Sequence, residues 1–446
     1  LKQISAPTTT EAGGTATFSI VLDSQPIADV TIGLTSSDTT EGSVTAASVT
    51  FTPTNWNAPQ IITVKGEDDL VQDGNQPYSV VTAAATSSDP NYAGIDPANY
   101  ALTNTDNDSA GVTIVATNPV TTEAGTFATF TVVLNSEPTG DVTIGLSSSD
   151  TTEGTINVSS LTFTALNWNA PQTVTVQGVD DFVADGNQPF KVITANATSS
   201  DPNYNGMVVD DVGLVNNDND SAGVIISPTE GITTTENGGV TVITVKLTSQ
   251  PTGDVTIPFA SSDISEGTLS TTSLTFTAAN WNVEQSITVK GEDDDMADGN
   301  QLYYLVSGEV TSTDPNYDGL NPANATIVNV DNDTASFTVT PVTGLQTTEA
   351  GGTATFTVVL NAQPTADVHV TLTSGDLTEA TMLPADITFT TVNWNVPQTI
   401  TVTGIDDFVA DGDQPFTIFL NPATSTDLAY QGVDPSDVTG NNKDNE

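Results

Sequence analysis

The chain has 446 residues, of which 36% are hydrophobic, enough for roughly three or four domains of about 100–150 residues with real cores. Lys plus Arg number 6 against 56 Asp plus Glu, a formal charge of −50, and every basic residue is Lys, which excludes nucleic acid and anionic membrane surfaces as partners. Cysteine is absent, removing disulfides, thiolate nucleophiles and Cys-type zinc sites, and no apolar run approaches the ~20 residues that span a bilayer.

In chain order, the first 108 residues predict seven strands separated by turn signals. Strand A comes first and is cut short; B is 15–23, C is 30–35, D is 48–52, E is 61–65, F is 78–86 and G is 100–105. Val30-Thr-Ile-Gly-Leu34 and Ile62-Thr-Val64 alternate as strands with one buried face do. The same order then returns three times. Trp56, Trp168, Trp281 and Trp394 recur at steps of 112, 113 and 113, and 25 of the 34 positions in 9–42 are identical to those in 121–154. The expected domains are therefore 1–108, 109–220, 221–333 and 334–446. The fold class is all-β, as four tandem immunoglobulin-like sandwiches whose near-absent linkers imply an elongated rod. The chain starts at Leu1 and stops inside a repeat, so it reads as an excerpt from a longer protein.

Antiparallel strands send successive loops to opposite poles of a sandwich. On that topology the A–B, C–D and E–F loops and the end of G share one pole, and eight acidic positions fall there. In the first copy they are Glu11, Asp38, Glu41, Asp68, Asp69, Asp73, Asp106 and Asp108. Their counterparts are Glu123, Asp150, Glu153, Asp180, Asp181, Asp185, Asp218 and Asp220 in the second copy, and Glu236, Asp263, Glu266, Asp293, Asp294, Asp298, Asp331 and Asp333 in the third. The fourth has Glu349, Asp376, Glu379, Asp406, Asp407, Asp411, Asp444 and Glu446. Two carboxylates ~5 Å apart repel by roughly 3 kcal/mol at an effective dielectric near 20, so eight at one pole require cations. Hard oxygen donors at this density suit Ca²⁺, which takes about 6 to 8 oxygens in flexible geometry. A solvated acidic surface is the alternative, but it would not confine its carboxylates to three loops and a terminus. An EF-hand reading of 69–80 fails at Val71 and Val80, where acidic ligands are required.

The segments 9–13 (Thr-Thr-Glu-Ala-Gly), 36–42 (Ser-Ser-Asp-Thr-Thr-Glu-Gly), 66–75 (Gly-Glu-Asp-Asp-Leu-Val-Gln-Asp-Gly-Asn) and the closing Asp106-Asn107-Asp108 resemble the Calx-beta family, four times over. That resemblance implies Ca²⁺ ligation by Glu11, Asp38, Asp68, Asp69, Asp73, Asp106 and Asp108. The Asn55-Trp56-Asn57 turn, the Ser88–Tyr92 loop and Asn107 depart from the family pattern.

Other recurrent residues have structural readings beside sharper ones. Trp56 either plugs its own sandwich or packs on the preceding domain. Tyr92 and its counterparts anchor a turn, or stack a ligand. Asp89 forms an Asx-type turn, while Asp201 and Asp141 could instead bridge to the first copy's acidic pole. His369, the only His, faces outward from strand C. With no nucleophile, base and orienting group assembled, the chain is expected not to be an enzyme. The expected role is a calcium-stiffened extracellular stalk, filament or adhesin segment of a bacterial surface protein. Alternatives are an adhesion module that grips a carbohydrate, a cell-surface ligand or a like chain, and a calcium-sensing regulatory module. Expected partners are calcium ions and the neighbouring repeats, with no membrane insertion.

Overall fold

The computed structural model describes residues 1–445. Among them every regular element is a strand, 40 in all, and ten make up each copy. In the first copy these are β1 (Lys2–Gln3), β2 (Thr8–Thr10), β3 (Thr15–Ile20), β4 (Val30–Ser36), β5 (Gly42–Val44), β6 (Ser48–Phe51), β7 (Gln60–Gly66), β8 (Gln76–Thr82), β9 (Thr86–Ser87) and β10 (Tyr100–Thr105). One sheet has the order β1-β3-β7-β5, and the facing sheet has β2-β10-β8-β4-β6 with β9 beside β4. Pairing is antiparallel except between β2 and β10, which run parallel with Thr9 opposite Asn104. The same two sheets recur in the other three copies.

Three expectations change. Strand A is split, β1 joining one sheet and β2 the other. Strand D also serves both sheets: Gly42–Val44 pairs with β7, and after a short break Ser48–Phe51 pairs with β4. Strand F stops at Thr82, because the Ala83 N–H turns to the Gly33 carbonyl (2.8 Å) and the chain leaves the ladder before β9. Extra pairings of two to four residues carry no alternation long enough to show in sequence.

Inward residues alternate along each strand, as in β8, where Tyr78, Val80 and Thr82 are buried. Four separate cores result, running from Ala16 to Leu102, Ala128 to Leu214, Ile232 to Ile327 and Leu345 to Val438. Fully buried Phe18, Phe51 and Ile62 each contribute about 1.5–3 kcal/mol through burial. The four Trp residues are half-buried, each against its own core, and within the second unit Trp281 also meets Phe182 of the preceding copy, ring centroids 6.0 Å apart. By contacts the chain divides into two units, residues 1–181 with 185–219, and 182–184 with 220–446.

Candidate metal centre

The acidic pole is built by β2 and β10 lying side by side, because their parallel register delivers Glu11 and the Asp106-Asn107-Asp108 run to the same end. The Glu11 N–H extends that ladder to the Thr105 carbonyl (3.1 Å). Glu11 is 3% exposed, and its Oε2 accepts the Asn107 N–H at 2.9 Å. Asn107, a departure in sequence, thus has a positioning role: its side-chain amide also donates to Asp68 Oδ1 at 3.0 Å. The loop after β7 closes against the run through Gly74, whose N–H donates to Asp106 Oδ2 at 2.7 Å from a left-handed conformation (φ 79°) that suits glycine. Gly186, Gly299 and Gly412 repeat this bond to Asp218, Asp331 and Asp444.

Two carboxylate trios result, each with one oxygen per residue lying within 4.8 Å of the others. In the first copy they are Glu11, Asp68 and Asp108, and Glu41, Asp69 and Asp73. The second copy brings together Glu123, Asp218 and Asp220, and Glu153, Asp181 and Asp185; the third brings together Glu236, Asp331 and Asp333. Asp106 sits beside the first trio, its Oδ1 accepting the Asp108 N–H at 2.7 Å. Asp180 and Asp293 are tied to the terminal run through Asn219 and Asn332, as Asp68 is through Asn107.

Burial first, and then Asp106, Asp69 and Asp108, push the Glu11 carboxyl up to about 7 against the opposing Asn107 hydrogen bond; Glu236 is likewise pushed up to about 7. Glu41, Glu153, Glu266 and Glu379 are raised by burial and by neighbouring Asp carboxylates. Asp108 and Asp333 are raised from the same two causes. Among the described residues, Lys65 pairs with Glu67 and Lys290 with Glu292, outside the trios of their copies.

Asp38 behaves differently. Its Oδ1 accepts both the Thr40 hydroxyl (2.6 Å) and the Thr40 N–H (3.0 Å), which hold its carboxyl below the usual range, and it belongs to neither trio of its copy. Asp150, Asp263 and Asp376 make the same turn. In the fourth copy Glu349 accepts the Asn445 N–H (3.1 Å), and burial plus Asp407 and Asp411 raise Glu379. Asp406 accepts the Phe408 N–H (3.1 Å), and Glu446 lies outside the described residues.

One supporting group was missed in sequence. Asn104, fully buried, donates to Glu41 Oε2 (3.4 Å) and to the Glu67 carbonyl (2.9 Å) while accepting from Thr9 (2.9 Å). Asn216, Asn329 and Asn442 repeat it. The signal was an Asn recurring two residues before each closing Asp run. Gly66 makes room for it, since a Cβ there would lie 2.3 Å from the Thr10 carbonyl and 2.5 Å from Asn104 Oδ1.

The trio loop is also a junction loop. Within the first unit, the Leu70 carbonyl accepts the Glu137 N–H (2.7 Å) and the Gln72 carbonyl accepts the Asn203 amide (2.6 Å). Within the second, the Asp295 carbonyl accepts the Gln363 N–H at 2.6 Å. Asp201 does not bridge copies: its carboxylate holds the Thr139 and Asn203 N–H groups of its own copy, an Asx-type turn. Tyr204 anchors the same loop, its hydroxyl donating to the Ser136 carbonyl at 2.7 Å. His369 is exposed and hydrogen-bonds Thr388.

The donor set of each trio is oxygen only, carboxylate only and partly buried, and Asp108 Oδ2 is buried with no hydrogen-bond partner. Such a site fits a hard divalent cation. Among known proteins, a family model described as the Calx-beta domain matches residues 105–213, 218–333 and 331–445. No curated protein matches the chain. Similar solved structures include CBD12 from CALX1.2 (15% identity, 50% of this chain and 99% of that one, TM-score 0.25). The calcium binding domain CBD12 of CALX1.1 is also similar (15% identity, 49% and 99%, TM-score 0.25). A third is domains 4–9 of surface layer protein SbsC (11% identity, 96% and 60%, TM-score 0.21).

Proposed function

The chain belongs to the Calx-beta family of calcium-binding modules, and from that premise we propose that every copy holds Ca²⁺ at its acidic pole and that the array serves as a calcium-stiffened extracellular stalk or adhesin segment. The observation that carries the reading is the pair of carboxylate trios, Glu11 with Asp68 and Asp108, and Glu41 with Asp69 and Asp73, held uncompensated by any basic side chain of the pole. Asp106, whose Oδ1 accepts the Asp108 N–H, lies beside the first trio and would add a fourth carboxylate to the oxygen donors that Ca²⁺ takes. A bound ion would supply the positive charge that lets these loops converge.

The chain's own residues then divide the work. Asn104 fixes Glu41, Asn107 fixes Glu11 and Asp68, and Gly74 fixes Asp106, so the donors are placed before any ion arrives. The loop carrying Asp69 and Asp73 also touches the following copy within the first unit, which supports a role for calcium in holding neighbours at a fixed angle. The stalk reading rests on this coupling and on near-identical copies, since a receptor-specific surface would differ between them. Calorimetric calcium titration of the whole chain, with metal content measured in parallel, tests the reading. Two or more ions per copy are expected; none bound at millimolar calcium overturns it.

A further inference from the structure

Within each unit, consecutive copies meet where the loop after β7, or its counterpart, reaches the next copy. One bond is common to both joints: a backbone N–H of the following copy donates to the carbonyl at the loop's tip, Glu137 to Leu70 (2.7 Å) in the first unit and Gln363 to Asp295 (2.6 Å) in the second. The rest of the contact differs. Between the first and second copies Gln72 is held twice, its carbonyl accepting the Asn203 side-chain amide at 2.6 Å and its side-chain oxygen accepting the Ala110 N–H. Within the second unit Asn316 makes the same amide bond, to the Ala184 carbonyl at 2.7 Å.

Between the third and fourth copies Ala297 stands in the place of Gln72, and Ala429 in the place of Asn203. Neither side chain carries a polar atom, so both side-chain bonds are lost through residue type alone, whatever rotamers the joint adopts. Leu428, next to Ala429, is 89% exposed and so buries little on the third copy in compensation. Asp295 takes the place of Leu70 and Phe182. The Phe182 ring lies 6.0 Å from Trp281, a ring contact that an aspartate cannot make with Trp394. What remains is the Gln363 bond and the short bridge between Met296 and Gln363 that it belongs to.

We propose that the Asn203 side-chain amide couples the first two copies, and that the joint between the third and fourth copies, which lacks its counterpart, is a flexion point built into the array. Neighbouring domains move relative to one another unless the interface between them is large and apolar, and no joint of this kind is. A joint tied at one place swings about it; a joint tied at several separated places must break a bond to do so. Sideways load is therefore taken up between the third and fourth copies, while the first pair moves as one piece. None of these bonds involves a metal ligand's carboxylate, so the contrast belongs to the chain itself.

The chain has no cysteine, so introduced pairs can carry spin labels at the exposed first residue of β6 and its counterparts: Ser48→Cys with Ser160→Cys across one joint, Ser273→Cys with Asp386→Cys across the other. Double electron–electron resonance on the full chain in millimolar calcium reads the two distance distributions. The pair at Ser273 and Asp386 should give the broader one. Ala429→Asn should narrow it and Asn203→Ala should broaden the other, each moving the undocked population by roughly two- to tenfold, the range that one net hydrogen bond carries. Ala at this position keeps the local turn, since the Ala429 N–H still donates to Asp427 Oδ1 at 2.9 Å, so Asn203→Ala reports the joint and not the loop. Equal widths at the two joints, or failure of either substitution to move its own joint, overturns the proposal.

Discussion

Single residues carry the acidic pole's response to pH. The Glu11 and Glu236 carboxyls sit near 7 in the folded chain against 4.5 for a free Glu side chain, so without metal the folded state keeps protons that the unfolded state has released. That contribution is fully present below about pH 4.5 and is lost as pH rises through about 7, because stability falls wherever the folded state binds more protons. Calcium competes with those protons. Melting of the metal-free chain should therefore move down between pH 5 and 7.5, while the added stability from calcium grows over the same range and its binding releases protons. A calcium effect that is unchanged from pH 5 to 7.5 would contradict the assignment of Glu11 as a donor. Substitutions separate donors from supports. Asp69→Asn should weaken calcium binding in the first copy, whereas Asp38→Asn should loosen the turn at Thr40 with a smaller effect on affinity. Asn104→Ala takes a donor from Glu41 and from the Glu67 carbonyl, while the Thr9 hydroxyl keeps Tyr78; it should cost about 1–3 kcal/mol by denaturant unfolding and lower affinity without touching a ligand.

At the scale of elements, the loops closing each pole are held by anchors that can be removed singly. Tyr204→Phe leaves the buried Ser136 N–H and carbonyl without their partner and should cost about 1–3 kcal/mol, read as a lower melting temperature of the copy that contains it. Gly66→Ala should be worse, since backbone stands where the methyl would go. Much of this level was legible in sequence. Strands β4, β7 and β10 announce themselves by alternation, and the convergence of Glu11, Glu41, Asp68 and Asp108 follows from counting strand reversals. What was not legible is pairing by short segments. Gly42–Val44 has only three residues to declare its sheet, and the parallel partnership of β2 with β10 joins segments some ninety residues apart. The division of the acidic residues was also hidden: Asp38 has the same chemistry as Asp69, and only the Thr40 hydroxyl beside it shows that its oxygen is already engaged.

For the whole molecule, calcium that binds only the folded state adds about 2.7 kcal/mol per site at a hundredfold excess over its dissociation constant. A chelator should accordingly lower the melting temperature of the chain, and an unchanged curve would reduce the pole to solvated surface. The stalk reading has its own measurement. Strands of up to eight residues rise about 3.3 Å per residue, so one copy with its loops spans roughly 40 Å and four in line would reach roughly 160 Å. Small-angle scattering with calcium should return a maximum dimension near that value, with a broader distance distribution after chelation. A compact particle in calcium would instead favour the adhesion-module reading, in which the copies grip a ligand.

The parallel ladder of β2 and β10 has a mechanical meaning. The chain enters a copy through β1 and then β2 and leaves through β10; β2 and β10 both run toward the acidic pole, so once β1 is pulled off its sheet, tension between the ends drags these two strands past one another lengthwise. Under that load the bonds linking Thr8–Thr10 to Thr103–Thr105 share the force and must yield together, unlike a hairpin peeled open one rung at a time. Glu11 and Asn107 sit at the end of that ladder, so an ion held by Glu11, Asp68 and Asp108 would rivet it where sliding begins. Single-molecule pulling should therefore show four similar rupture peaks, each at higher force in calcium than in chelator.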